Sequence, residues 1–599
     1  MPAQLRPPPP RATPVRRDSV APQLERSAVR LLGNITLSRD TRFARASTVG
    51  NGAATESHPT VSRRHALRLA ALGISAPFFG RAAAPQPKHP HGVVSGEPTA
   101  ERVGAQILAS GGNAVDAMVA AALAGAVAAP HQTGIGGYGA SIILASADGK
   151  RIVCIDANSA APAAARADMF KPDAKGLVTG RVNETGWLAA GVPGILAGLQ
   201  LALDRHGTRS FRDSVAPAIA IARDGFKLSA GLATTIRSFS TLARTHEGGR
   251  RLFFKDGEPL AAGDTYRNPE VAALLETLAQ RNSVDSFYRG DLALRIAESF
   301  QKYGGIVTAK DLAAYQAREV EPLRFEWNGC DVRTAPLTSG GLTVLQALAT
   351  LRALEWEKQS ADFARTHARI EALRTAWADR LALLGDPQHA PVPVAKLLSA
   401  DYAKETAARV RSAVKDGKVL AHAGESRPHT GTIHISVVDK AGNLAAITLT
   451  HGNGFGARVT VDGLGLTLGH GMSRFDPHPA HPNAPGPGKR PLHNMCPTLV
   501  LREGRPVLAI GGRGGRKIPN ALFEALTSYV ALGQPMEAAL AAPRLHTEGN
   551  LNLELEVKWP AAEVEALTKL GYKTKTAGSA TLSAVSFNPK SGECHAALR

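Results

Sequence analysis

Cysteine is scarce in this chain of 599 residues: the 4 present, Cys154, Cys330, Cys496 and Cys594, are scattered singly. No two share a Cys-x-x-Cys spacing, so neither a zinc site nor a disulfide framework can be read from them. Long apolar runs are missing too. The apolar stretch at residues 69–79 falls well short of the roughly 20 residues a membrane-spanning helix needs. Also absent is any run of basic residues interleaved with aromatics, which excludes a nucleic-acid surface despite a net charge of +19. Nearly half of that surplus sits in residues 1–84, which hold 13 Lys and Arg against 4 Asp and Glu.

What is present divides the chain. Residues 1–60 are rich in Pro, Arg, Ser and Ala without periodicity and are expected to be disordered. Ser62-Arg-Arg-His65, the apolar stretch and Arg81-Ala-Ala-Ala84 have the layout of a twin-arginine export signal with a small-residue cleavage site, which predicts a periplasmic or secreted protein. Sixty residues ahead of such a signal is long, so translation is expected to start nearer to it, or the leader to be removed whole.

Past the signal, residues 97–110 and 113–128 have helical patterns separated by Gly111-Gly112. Strands are expected at 141–145 and 151–155 around an Asp148-Gly149 turn. Gly134, Gly136 and Gly139 match a dinucleotide fingerprint formally. That fingerprint needs a strand before it and a helix after it, and here the order is reversed. Residues 192–405 read as mostly helical, with one strand at 324–333. In the Pro-rich loop 476–488, His478 and His481 suggest a solvated loop rather than metal ligands.

The most informative stretch begins at Thr432. Ile433, Ile435 and Val437 alternate with Thr432, His434, Ser436 and Val438, predicting a strand with two distinct faces. Lys440-Ala-Gly-Asn443 is a turn and residues 444–450 a second strand. A polar, Gly-rich loop, residues 416–431, leads straight into Thr432, and a Gly-Thr junction at such a place is a candidate cleavage site. Gly511-Gly-Arg-Gly-Gly515 lies between strands expected at 498–501 and 506–510 and a helix expected at 519–532. Such a loop exposes backbone N–H groups that suit an oxyanion.

Gly111-Gly-Asn-Ala-Val-Asp-Ala117, Gly134-Ile-Gly-Gly137, residues 156–162, residues 432–439, Lys489-Arg-Pro-Leu492 with Met495 and Pro497-Thr498, and Gly514-Gly515 follow one another in an order that resembles the γ-glutamyltransferase family. The resemblance covers residues 90–599. It implies an α+β fold, the four-layer αββα sandwich of N-terminal nucleophile hydrolases. It implies self-cleavage between Gly431 and Thr432, giving a helix-rich large subunit (85–431) and a small subunit (432–599). Thr432 would be the nucleophile, its freed α-amine the general base, Thr450 an orienting hydroxyl, and the N–H groups of Gly514 and Gly515 the oxyanion hole. No metal or other cofactor is implied.

The substrate clamps of the family are altered. The carboxylate-gripping Arg is replaced by Asn158, an Asn by Gly452, a Gln and an Asp by Gly471 and Arg474, and two paired Ser by His493 and Asn494. Arg in place of Asp inverts the charge that would meet an α-ammonium. A γ-glutamyl group is therefore expected to bind poorly, and an acyl group ending in a carboxylate well if Arg474 faces the pocket rather than solvent. The loop 475–489 looks shorter than the family's lid, which favours hydrolysis over transfer. Two functions remain open: an amide hydrolase or acyltransferase acting on small-molecule or peptide amides, and a catalytically degenerate paralogue acting as a binding protein.

Overall fold

A computed structural model describes residues 89–174, 176–422 and 431–599. The leader, the twin-arginine segment and the stretch 423–430 of the loop before Thr432 lie outside the described residues. Twelve strands build two sheets. In chain order they are β1 (Gly92–Ser95), β2 (Gly139–Ala145), β3 (Ile152–Ala157), β4 (Arg318–Val320), β5 (Leu323–Trp327), β6 (Cys330–Thr334), β7 (Ile433–Asp439), β8 (Leu444–Thr450), β9 (Thr498–Arg502), β10 (Arg505–Arg513), β11 (Thr581–Phe587) and β12 (Cys594–Leu598). The first sheet runs β1-β7-β8-β2-β3-β4 and the second β12-β11-β10-β9-β6-β5, both antiparallel throughout.

The helices that cover them include α1 (Pro98–Ala109), α2 (Ala114–Ala128), α3 (Ile195–His206), α4 (Phe211–Asp224), α5 (Pro269–Arg281), α6 (Gly341–Ala353), α7 (Phe363–Leu383), α8 (Ala400–Lys415) and α9 (Lys517–Leu526). Helices α1 to α5 pack on the first sheet and α6 to α9 on the second, each with its own apolar core. A thinner apolar layer, including Ile143, Cys154, Val438, Ala446, Leu499 and Val585, fills the space between the sheets. The order is helix, sheet, sheet, helix, the four-layer αββα architecture expected.

The alternation in β7 sorts its side chains between these layers. Ile433, Ile435 and Val437 enter the core beneath α2, while Val438 enters the layer between the sheets. Helix α2 is buried nearly all round, and its Gly125 lies so close to β7 that a Cβ there would come within 2.7 Å of Ile433. Asn113 starts α2 with a reciprocal capping box, and the Asp439 carboxylate, at the end of β7, accepts the Ala114 N–H at 3.0 Å. The β7–β8 hairpin and α2 are thus fastened at one end.

The expected strand at 324–333 is two strands, β5 and β6, folded about Asn328 and Gly329 at φ +48° and +71°. Asn-Gly is the strongest short hairpin signal, and both residues tolerate positive φ. The helix expected at 519–532 begins earlier, at Lys517, and gives way after Leu526 to wider π-type turns over Thr527–Ala531. All four cysteines are free and buried. Among the described residues no helix is long and apolar enough to cross a membrane.

One buried ion pair stands out in the second core. Arg374 and Glu371 of α7, both 0% exposed, meet at 2.5 Å; Arg374 also donates to the carbonyls of Asn550 and Leu420, and Tyr572 donates to Glu371. Removing one partner strands a buried charge. Arg374→Met is expected to lower folding stability by about 3–5 kcal/mol, read as a shift of the urea midpoint, with most of the loss recovered in the double variant with Glu371→Gln.

Candidate active site

Thr432 stands immediately before β7 and Thr450 ends β8. The pairing of Ile433 with Leu449 brings the two hydroxyls together, and Thr432 Oγ1 donates to Thr450 Oγ1 at 2.9 Å. Thr450 Oγ1 also accepts the Gly452 N–H at 2.7 Å. Both threonines are buried, at 4% and 1% exposure. The carbonyl of Gln132, from the Gly-rich loop between α2 and β2, accepts the N–H groups of Thr432 and His451 at 3.0 Å each, tying the open end of the hairpin together.

The backbone at the candidate cleavage site is strained. Thr432 has φ +110° and Gly431 φ +128°. A β-branched residue at positive φ is a genuine outlier, costing on the order of 1–3 kcal/mol. At position 431 only glycine fits, because a Cβ would lie 2.8 Å from the Gly452 carbonyl oxygen.

The second sheet contributes the Gly-rich loop. The ring of His434, two residues beyond Thr432 on the same face, packs on Gly511, where a Cβ would lie 2.1 Å away. His434 hydrogen-bonds Thr448 Oγ1 at 2.7 Å and Ser436 Oγ at 3.0 Å, and burial pushes its pKa down to about 3, so the ring is neutral. Gly514 and Gly515 follow at φ +136° and +64°. Their carbonyls accept from Lys517 at 3.3 Å and Ile518 at 3.2 Å, at the start of α9.

Of the residues singled out in the sequence, Thr432, Thr450, Gly452, Arg474, Asn494 and Gly515 line one cleft. Tyr138, Met495 and Ile518 complete its wall. The rest play other parts. Asn158 is 0% exposed, and its Nδ2 donates to Thr338 Oγ1 at 2.8 Å and the Pro491 carbonyl at 2.7 Å. It fastens the end of β3 to the loop carrying Lys489-Arg-Pro-Leu492 and does not line the cleft. Gly471 is a close-packing position, since a Cβ there would lie 2.3 Å from Ser159 Oγ. His493 is buried with its pKa pushed down to about 3 by burial, and its N–H bonds the Thr338 carbonyl. Gly514 shapes the loop while Gly515 faces the cleft.

Arg474 lines the cleft and is half-buried. Its Nη2 donates to His470 Nε2 at 2.9 Å, its guanidinium lies 5.7 Å from the centre of the Tyr138 ring, and its Nε is buried without a partner. Burial pulls its pKa down, the cost of holding a cation away from water. Among the described residues no carboxylate lies within ion-pairing distance of it.

A second guanidinium was invisible in the sequence. Arg380, in the last turn of α7 and 3% exposed, donates to the carbonyls of Ser339 at 3.3 Å and His493 at 2.7 Å and to Asn494 Oδ1 at 3.4 Å. Burial first, then Arg516, pushes its pKa down to about 10. It belongs to no motif, and only the fold brings it behind Asn494. Arg490 of the Lys-Arg-Pro-Leu stretch pairs with Asp156 at 2.6 Å, which holds that stretch against β3.

The gamma-glutamyltranspeptidase family model matches residues 100–597. A glutathione hydrolase proenzyme of Escherichia coli is 36% identical over 525 residues, 82% of this chain and 88% of the relative. An acylase proenzyme, ACY 1, of a Pseudomonas species is 34% identical over 511 residues, 83% and 90% of the two chains. Among solved structures, a cephalosporin acylase of Bacillus halodurans superposes with a TM-score of 0.75 at 25% identity, covering 87% of this chain and 99% of its own. Since the match runs from the first helix to the last strand and takes in both sheets, this chain belongs to the gamma-glutamyltranspeptidase family, as an N-terminal threonine hydrolase or acyltransferase.

Proposed function

We propose that Thr432 cuts the chain before itself and then serves as nucleophile for amides whose acyl group ends in a carboxylate held by Arg474. In processing, Thr432 Oγ1 attacks the Gly431 carbonyl, the peptide bond becomes an ester, and water hydrolyses it. The products are a Gly431 carboxylate and a free α-amine on Thr432, so residues 85–431 and 432–599 become two subunits. Strain at positive φ raises the energy of the uncut bond and favours that first step.

In turnover, the α-amine, with a reference pKa of about 7.7–8.0, takes the proton from Oγ1 as the oxygen attacks the substrate carbonyl. The N–H groups of Gly514 and Gly515 receive the developing oxyanion. The ammonium then returns the proton to the leaving amine, and water or a second amine releases the acyl group. Thr450 fixes the nucleophile's rotamer through the 2.9 Å hydrogen bond.

The observation that carries the substrate assignment is the half-buried Arg474 guanidinium, which lines the Thr432 cleft and pairs with no carboxylate of the described protein. It repels the α-ammonium of a γ-glutamyl group and fits a dicarboxylic half-amide such as a glutaryl amide. Several relatives are named glutathione hydrolases and others acylases, so both names occur among similar proteins. The export signal read in residues 62–84 supports a periplasmic or secreted enzyme. Nothing observed favours a non-catalytic binding role.

The test compares glutaryl, γ-glutamyl and butyryl p-nitroanilides. Glutaryl is expected to be the best substrate. In Arg474→Met the ratio of glutaryl to butyryl kcat/KM is expected to fall by about 10–100-fold, the worth of a charged hydrogen bond. Efficient turnover of the γ-glutamyl compound by the parent enzyme would overturn the assignment.

A further inference from the structure

We infer that His470 is a positioning residue that aims the Arg474 guanidinium into the Thr432 cleft, and that Gly452 is the gap that admits this pair. The inference rests on the reading of Arg474 as the carboxylate clamp and adds how the clamp is held.

An arginine can only donate, so the 2.9 Å contact makes His470 Nε2 an acceptor. The opposite ring nitrogen, Nδ1, lies 3.2 Å from the Glu184 carbonyl oxygen, which can only accept. Both contacts are satisfied by one tautomer alone: neutral imidazole with its proton on Nδ1. The backbone at Glu184 thus fixes the ring, and the ring's lone pair fixes Nη2. His470 is 1% exposed, and burial followed by the Arg474 charge drives its pKa well below the usual value, so the acceptor is present throughout the working range. His451 and Arg458 are the other groups acting on it.

Gly452 makes the arrangement possible. It has φ +99°, and a Cβ there would lie 2.1 Å from the His470 ring and 2.9 Å from Arg474 Nη2. Any side chain at 452 displaces the pair. A guanidinium held on one edge by a neutral ring keeps its other donors free for a ligand, whereas a carboxylate in place of His470 would neutralise it. Arg474 Nε, buried and without a partner, is such a free donor. Orientation by a neutral acceptor is what a carboxylate-binding cation requires.

The experiment uses the full chain, with processing confirmed on a denaturing gel, and measures kcat and KM for glutaryl and butyryl p-nitroanilides. His470→Ala is expected to raise KM for the glutaryl substrate about tenfold with kcat within about twofold, lowering the glutaryl-to-butyryl ratio accordingly. In His470→Gln, an amide can donate to Glu184 and accept from Arg474, and the ratio is expected to recover most of its value. Gly452→Ala is expected to lower the ratio as His470→Ala does. The double variant His470→Ala with Arg474→Met should be no more selective than Arg474→Met alone. A loss of kcat on both substrates alike in His470→Ala, without rescue by Gln, would mean a merely structural role and overturn the inference. If Arg474→Met collapses the ratio and His470→Ala leaves it intact, the clamp stands and the positioning role falls. If Arg474→Met does not move the ratio, the clamp reading itself fails.

Discussion

Thr432→Ala is expected to leave the chain as a single band on a denaturing gel, where the parent separates into two. The smaller parent fragment should begin Thr-Ile-His-Ile-Ser by N-terminal sequencing, and turnover of a glutaryl anilide should fall about 10⁴-fold or more in the variant. Alanine keeps the N–H that bonds the Gln132 carbonyl and keeps β7 in register, so the loss isolates the hydroxyl. Thr432→Ser restores the hydroxyl without the γ-methyl that limits χ1, and should cut slowly but completely. The pH dependence follows from the base. An α-amine must be neutral to accept the Oγ1 proton, so kcat/KM should rise with pH through the amine's pKa and be lost below it. A cut chain in the alanine variant would remove Thr432 from both roles.

Gly514→Ala is the second variant with a large expected effect. The residue sits at φ +136°, which an L side chain rarely adopts, and its Cβ would come within 2.9 Å of Ala580 Cα. The loop must shift, and the N–H groups of positions 514 and 515 shift with it. Loss of one aligned oxyanion donor costs about 2.7–4 kcal/mol, so kcat should fall by roughly 10²–10³ with KM nearly unchanged. The thermal midpoint serves as the control for folding. An unchanged kcat would place the oxyanion donors elsewhere.

Both variants concern residues that the sequence made legible, because strands and glycine loops carry local signals. The alternation from Thr432 to Val438 matched the layers that β7 separates. The Gly111-Gly112 break marked the boundary between α1 and α2. The single strand expected at 324–333 failed for a local reason, the Asn328-Gly329 turn. The substrate side of the site was harder to read because it depends on direction. Whether Arg474 points inward is settled by His470 and by the missing side chain of Gly452, which are 4 and 22 positions away in the chain. Asn158 stands where a clamp was expected, but its amide nitrogen is taken up by Thr338 and Pro491, a use visible only once β3 meets that loop. Arg380 lies in the last turn of a helix, where an arginine is ordinary, and only the packing of α7 brings it to Asn494.

The interleaving of the first sheet bears on what happens after the cut. Strands β7 and β8 come from the C-terminal side of Thr432, and they lie between β1 and β2 from the N-terminal side; in the second sheet β5 and β6 join strands from beyond the cut. Severing the chain before Thr432 breaks no ladder hydrogen bond, so the mature molecule keeps the rigidity of the precursor. Its way back from denaturation is different. The uncut chain refolds by a unimolecular route, whereas the two mature pieces must meet in solution, the larger lacking two strands of the first sheet and four of the second, the smaller the reverse. Mature enzyme, once unfolded and diluted, should not regain activity on the timescale of its precursor, and its durability is set by the rate of unfolding rather than by an equilibrium.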